Sequence, residues 1–234
     1  MTELIQFDLG DIPENASICL VGKRRSGKNV LAKDLCYNFY RGKVKNVFLF
    51  SPTAEIALNS YNFVPMEYRY SYVDVDVINR IMKRQEYLIK NNPKGNHKIL
   101  LLFDDIAYSN NFQQKQIIDK LFICARHFQI SLICNFQYLK TDLTRSIKDN
   151  TDLIFVFNQS NIDNKKIINE QFLSVDEDKK KGLELINKYA NGYQTLTILN
   201  TMNTNNYSDF CFYYTADEIN TKFKLGKDYE MSYP

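Results

Sequence analysis

Seven consecutive residues, Gly22, Lys23, Arg24, Arg25, Ser26, Gly27 and Lys28, have the spacing G-x-x-x-x-G-K, which suits the binding of a phosphate chain. The two glycines allow backbone conformations that a Cβ would hinder, so successive N–H groups can turn inward around an anion. Lys28 would reach the β- and γ-phosphates of a nucleotide. The cradle is expected to run from Gly22 through Asn29 and Val30, into the first turn of the following helix.

The motif ordinarily continues with Ser or Thr, whose hydroxyl binds Mg²⁺; here the residue is Asn29. An amide oxygen can ligate Mg²⁺ with a different reach, in an ion that demands near-octahedral geometry. Asn29 is therefore read either as a metal ligand or as a helix-start residue that points away. A second chemical group is the acid pair Asp104 and Asp105, directly after the most apolar run, ILLLF. Two adjacent carboxylates at a strand tip are hard to leave unpaired. A Mg²⁺ shared with a triphosphate gives them a role, and an acidic helix cap is the plainer alternative.

The elements that must carry these groups follow from periodicity. Ile18 to Val21 is a short apolar run that reads as a buried strand, and Leu31, Leu35 and Phe39 recur on one helix face after the loop. That order puts the loop at a helix N-terminus, where the macrodipole favours an anion. Further strands are expected at Asn46–Ser51, Ile99–Phe103, Ile130–Cys134, Asp152–Phe157, Leu196–Leu199 and Phe210–Tyr214. Helices are expected from Val75 past Leu88, over Gln114–Cys124, and within Ser174–Tyr189; Tyr61–Tyr72 reads as irregular. Continuous apolar strands alternating with helices indicate an α/β fold with a mainly parallel sheet. Ligands of such sheets bind beyond the carboxyl ends of the strands, where the acid pair falls.

The 234 residues suffice for one sizeable domain. Its expected limits are residues 17–216, with an N-terminal arm at 1–16 and a C-terminal tail at 217–234. A net charge of +3 permits an anionic partner without requiring one. The five cysteines form no C-x-x-C pair and there are two histidines, so neither a disulfide framework nor a histidine metal centre is expected. No apolar run approaches a membrane span, and a cytosol-like, reducing compartment is expected.

The ordered motifs GKRRSGKN, LFSPTAEI, INRIMKRQ, ILLLFDD, ARHFQISLICNFQYL and LTRSIKDNTDLIFVFN resemble those of the poxvirus-type genome-packaging ATPases of large DNA viruses, within the FtsK/HerA superfamily of ring-forming DNA pumps. The resemblance covers about Ser17 to Ala216. It implies a P-loop NTPase fold with RecA/FtsK-like strand order, the strand that ends in a glutamine lying between the phosphate-loop strand and the double-aspartate strand. Gln137 would then sense the γ-phosphate, Asp104 would hold Mg²⁺ through water, and Asp105 would orient the attacking water. An arginine from a neighbouring subunit would complete the site, with Arg126 and Arg145 both candidates. The implied cofactors are ATP and Mg²⁺.

The same likeness implies an ATP-driven translocase that packages double-stranded viral DNA, working as a pentameric or hexameric homo-oligomer against a capsid or portal component. It would act in the host cell cytoplasm, at the virus factory, and in the virion. A pump of this kind should touch phosphates rather than base edges, and Lys140, Arg145 and Lys148 lie in a suitable connecting segment. Two other readings share the phosphate loop: a small-molecule P-loop kinase, and a nucleotide-binding structural subunit whose hydrolysis is weakened at Asn29.

Overall fold

The computed structural model describes residues 3–54, 60–105, 111–174 and 179–226. Its eight-stranded sheet has the order β3-β2-β4-β5-β1-β6-β7-β8. The strands are β1 (Ser17–Val21), β2 (Asn46–Phe50), β3 (Arg69–Tyr70), β4 (Ile99–Phe103), β5 (Ile130–Phe136), β6 (Leu153–Val156), β7 (Gln194–Leu199) and β8 (Cys211–Thr215). All pairings from β3 across to β6 are parallel, and β6-β7 and β7-β8 are antiparallel. Every residue of β1, β2, β4, β5 and β6 is buried. Burial on both faces is why these strands read as unbroken apolar runs rather than alternating ones.

The helices are α1 (Lys28–Asp34), α2 (Val75–Asn91), α3 (Phe112–Cys124), α4 (Leu139–Asp142), α5 (Arg145–Asp149), α6 (Ile162–Ile168), α7 (Lys179–Tyr189) and α8 (Tyr207–Phe210). α1 continues into a π-helical segment, Leu35–Tyr40, and the stripe Leu31, Leu35 and Phe39 is buried along both. Side-chain caps set the starts of several helices. The carboxylate of Asp74 accepts from the amides of Asp76 and Val77, and the side chain of Asn111 from those of Gln113 and Gln114. None of the helices among the described residues is long and apolar enough to cross a membrane.

The strand order places β5 between β4 and β1, as the family likeness implied. The register pairs Val21 with Phe136 and Phe103 with Cys134. β5 runs beyond the expected end at Cys134 and carries Asn135 and Phe136 into the sheet, because both β1 and the loop after it hydrogen-bond to it. One strand was not expected: Arg69–Tyr70 pairs in parallel with Leu49–Phe50 inside the segment read as irregular. Two residues are too short a run to show any periodicity.

In the segment read as an N-terminal arm, Leu4, Phe7, Ile12 and Ala16 are buried, and the Phe7 amide donates to the Tyr213 carbonyl at the β8 edge. Within the segment read as a tail, Leu225 is buried and its amide donates to the Phe63 carbonyl. Residues 227–234 of that tail, and 175–178 of the expected helical excursion, lie outside the described residues.

Candidate nucleotide site

The loop from Gly22 to Gly27 joins the carboxyl end of β1 to the start of α1. Its path requires glycine at two points. Gly27 caps α1 at φ 102°, a left-handed conformation. A Cβ on Gly22 would stand 2.5 Å from Ser26 Oγ and 2.8 Å from Phe157 Cβ. The side chains of Lys23, Arg24 and Arg25 are exposed, so these residues offer the cradle their backbone, and Val30 is also exposed. Ser26 Oγ is buried without a hydrogen-bond partner, an unsatisfied hydroxyl inside a loop suited to an anion.

Lys28 is buried, and its Nζ donates to the Gly22 carbonyl at 2.7 Å and the Lys23 carbonyl at 2.9 Å. The ammonium thus bonds to the loop's own carbonyls. Burial holds its pKa below the ordinary lysine value, and the Asp104 and Asp105 carboxylates act against that shift.

Asp104 follows β4 and is buried; its amide donates to the Phe50 carbonyl at 2.9 Å. Asp105 adopts φ 49°, and that left-handed turn presents its carboxylate to Gln137, whose Nε2 donates to Asp105 Oδ1. The structure therefore gathers Lys28, Asp104, Asp105 and Gln137 at the carboxyl ends of three adjacent strands.

Two further residues stand at this site that the sequence motifs do not single out. Asn135, the penultimate residue of β5, donates from Nδ2 to Asp104 Oδ1 at 2.5 Å and faces Asn29 Oδ1 at 3.5 Å. Its own Oδ1 is buried without a partner. Asn29 thus turns toward the acid pair rather than away from it. Tyr61 is wholly buried. Burial first, then the charge of Asp104, raises the pKa of its hydroxyl far above the usual phenol range, so it stays a neutral hydroxyl in the field of that carboxylate. The only hint of Asn135 in the sequence was its place two residues before Gln137 on an otherwise apolar strand.

A buried relay supports Gln137 from behind. Asn164 Nδ2 donates to the Gln137 carbonyl at 2.9 Å and lies 3.3 Å from Gln159 Oε1, while Gln159 Nε2 donates to the Val21 carbonyl at 3.0 Å. The end of β1 and the end of β5 are thereby tied through α6.

The oxygens at hand, from Asp104, Asn29 and the orphaned Asn135 amide, are the hard donors that Mg²⁺ takes, so the residues present fit that ion. Both arginine candidates lie apart from this cluster. Arg126 is exposed in the turn before β5 and acts electrostatically on Asp152, at the opposite edge of the sheet. Arg145 is exposed and pairs with Asp149 at 3.3 Å. Neither reaches the Lys28 cradle within one chain.

Several known proteins are similar to this chain. Over 24% identity, the chain aligns with uncharacterized protein L437 of Acanthamoeba polyphaga mimivirus, covering 96% of this chain and 80% of the relative. Uncharacterized protein 088R of Invertebrate iridescent virus 3 is 25% identical, over 90% of this chain and 80% of that protein. Among solved structures, the genome packaging NTPase B204 of Sulfolobus turreted icosahedral virus 2, in complex with sulfate, superposes with TM-score 0.61 at 19% identity, covering 88% of this chain and 98% of B204. Its complex with AMPPCP gives TM-score 0.58 at 20% identity, over 82% of this chain and 96% of B204. The conjugation coupling protein TcpA of pCW3 shares the fold at TM-score 0.54 and 14% identity, over 93% of this chain and 70% of TcpA. The model of the family described as Poxvirus A32 protein matches residues 7–229, and the chain belongs to that family.

Proposed function

We propose that this protein hydrolyses ATP and couples the reaction to movement of double-stranded viral DNA into a capsid, as a subunit of a pentameric or hexameric ring. The observation that carries this reading is the convergence of Lys28, Asp104, Asp105 and Gln137 on one helix N-terminus. Membership of the Poxvirus A32 protein family and the fold shared with B204, described as a genome packaging NTPase, support it.

Each residue then has a physical task. The N–H groups of the loop and the α1 dipole receive the phosphates. Lys28 exchanges its two loop carbonyls for phosphate oxygens, where its charge is better used. Asp104 and Asn29 would hold Mg²⁺, and the bound ion would neutralise charge on the β- and γ-phosphates. Asp105 orients the water that attacks the γ-phosphorus. Gln137, bonded to Asp105, registers the loss of the γ-phosphate and passes it into β5. Tyr193 is exposed beside Gly27 and would pack against the nucleotide base. Arg126 or Arg145 of a neighbouring subunit would supply the final positive charge, an effect of about 10³- to 10⁵-fold in related sites. The docking partner would be a capsid or portal component, in the infected-cell cytoplasm and the virion.

The test is ATP turnover with and without duplex DNA, run beside a mass measurement of the assembly. Turnover that rises with DNA and vanishes in Lys28→Ala is expected; one unchanged rate with and without DNA in an assembled ring would overturn the reading. A second reading, a nucleotide-binding structural subunit with weakened hydrolysis, has one observation behind it: Asn29 in place of the usual hydroxyl. Tight ATP binding without turnover, restored by Asn29→Ser, would establish that one.

A further inference from the structure

A groove of about 580 Å³ opens at the amino-terminal edge of the sheet, where β2 and β4 begin. Arg41, Lys43, Lys45, Arg84 and Lys224 line it, and its described lining contains no carboxylate. Five positive groups sharing one groove repel one another, which is a cost in a protein of net charge +3. Two of them are seated on aromatic rings. Lys43 Nζ lies 3.6 Å from the Phe39 ring centre, and the Arg41 guanidinium lies 4.9 Å from that of Tyr37. Those rings position the cations without neutralising them. The nearby carboxylate of Glu14 bonds to Lys98 at 2.7 Å, so its charge is matched there first.

A second observation points to a ligand. Asn46 is 1% exposed and lines the same groove, yet neither its Nδ2 nor its Oδ1 has a hydrogen-bond partner. A buried amide left unsatisfied in a protein is uncommon, and a phosphate oxygen would accept from its N–H₂ group. In contrast to Lys43, Lys45 and Lys224, two cations of the α5 segment are ion-paired. Arg145 and Lys148 both pair with Asp149, at 3.3 and 3.4 Å.

We infer that this groove binds the phosphate backbone of duplex DNA, with Lys43, Lys45, Lys224 and the Asn46 amide as its contacts. The inference rests on the translocase reading and names its DNA face. Cations spread over three chain segments suit a polyanion, whose charges repeat along an axis, better than one small anion. The five residues of β4, about 16 Å at strand spacing, separate this edge from Asp104. DNA and nucleotide can therefore be held at once.

The experiment compares the unsubstituted protein with the triple variant Lys43→Gln/Lys45→Gln/Lys224→Gln, binding a short duplex of arbitrary sequence across a salt series. All three residues are exposed, and thermal unfolding checks that the variant folds. The variant should bind DNA at least about tenfold more weakly at low salt, with a slope of log K against log salt shallower by about 2 to 3. The charge-preserving Lys→Arg triple should bind like wild type. Unchanged affinity and slope in the glutamine variant would overturn the inference. So would loss of inorganic phosphate binding with DNA binding retained, since the groove would then serve a free anion. Wild-type turnover is measured in parallel. If DNA stimulates it while the glutamine variant still binds DNA normally, the groove assignment fails and the translocase reading stands; if DNA neither binds nor stimulates, both fail.

Discussion

Asn135 Nδ2 lies 2.5 Å from Asp104 Oδ1, a hydrogen bond from the end of β5 to the tip of β4. The same nitrogen faces Asn29 Oδ1 at 3.5 Å, so one buried amide aligns the two side chains proposed to meet Mg²⁺. Groups that orient a metal's ligands commonly contribute 10- to 100-fold in affinity. In Asn135→Ala, Mg²⁺-dependent nucleotide binding should weaken about tenfold, with binding in chelator little changed. Fluorescent-nucleotide titration under both conditions measures this; equal losses in both would remove the assignment.

Lys28 links function to stability. Its buried amine gives up its proton more readily in the folded chain than in the unfolded one, since burial lowers its pKa from the ordinary 10.5. Between the lowered value and 10.5 the unfolded state binds more protons, so stability rises with pH through that window. Lys28→Met should lose this alkaline gain relative to wild type, be no less stable at neutral pH, and lose turnover by at least about 10²-fold. Chemical denaturation as a function of pH, paired with steady-state kinetics, tests all three.

Gly22 tolerates no side chain. In Gly22→Ala the new methyl would meet Ser26 Oγ at 2.5 Å and Phe157 Cβ at 2.8 Å. Relieving that contact should cost about 1–3 kcal/mol and shift the loop enough to abolish ATP binding. A variant with wild-type stability and affinity would show that the loop is softer than its packing indicates.

Gln137 and Asp105 are joined by a hydrogen bond, and cutting it should affect chemistry more than binding. Gln137→Ala is expected to lower kcat about 10- to 100-fold with nucleotide affinity held within about threefold. Loss confined to affinity would instead make Gln137 a binding residue.

Asn29→Ser removes the amide that faces Asn135 and supplies a hydroxyl of ordinary reach. The Mg²⁺ concentration for half-maximal turnover should fall in this variant. An unchanged Mg²⁺ requirement would mean that Asn29 does not touch the ion.

The glycine spacing, the apolar runs of β1 and β4 and the heptad-free stripe of α1 were legible along the chain because each depends on near neighbours. Buried parallel strands also announce themselves, since both faces must be apolar: β4 was bounded correctly at Ile99 and Phe103. The edge strand β3 was not legible, being only Arg69–Tyr70, and its pairing with β2 is a contact at a distance in sequence.

What the sequence determined by itself was the glycine spacing of the loop, the acid pair at a strand end and the layered α/β plan, all of which follow from local spacing and periodicity. The tertiary structure alone decided that Asn135 stands between Asn29 and Asp104, and that residues from positions 41 to 224 form one basic groove. Such groups meet only when strand order and register bring distant segments together, and no periodicity of the chain encodes that meeting.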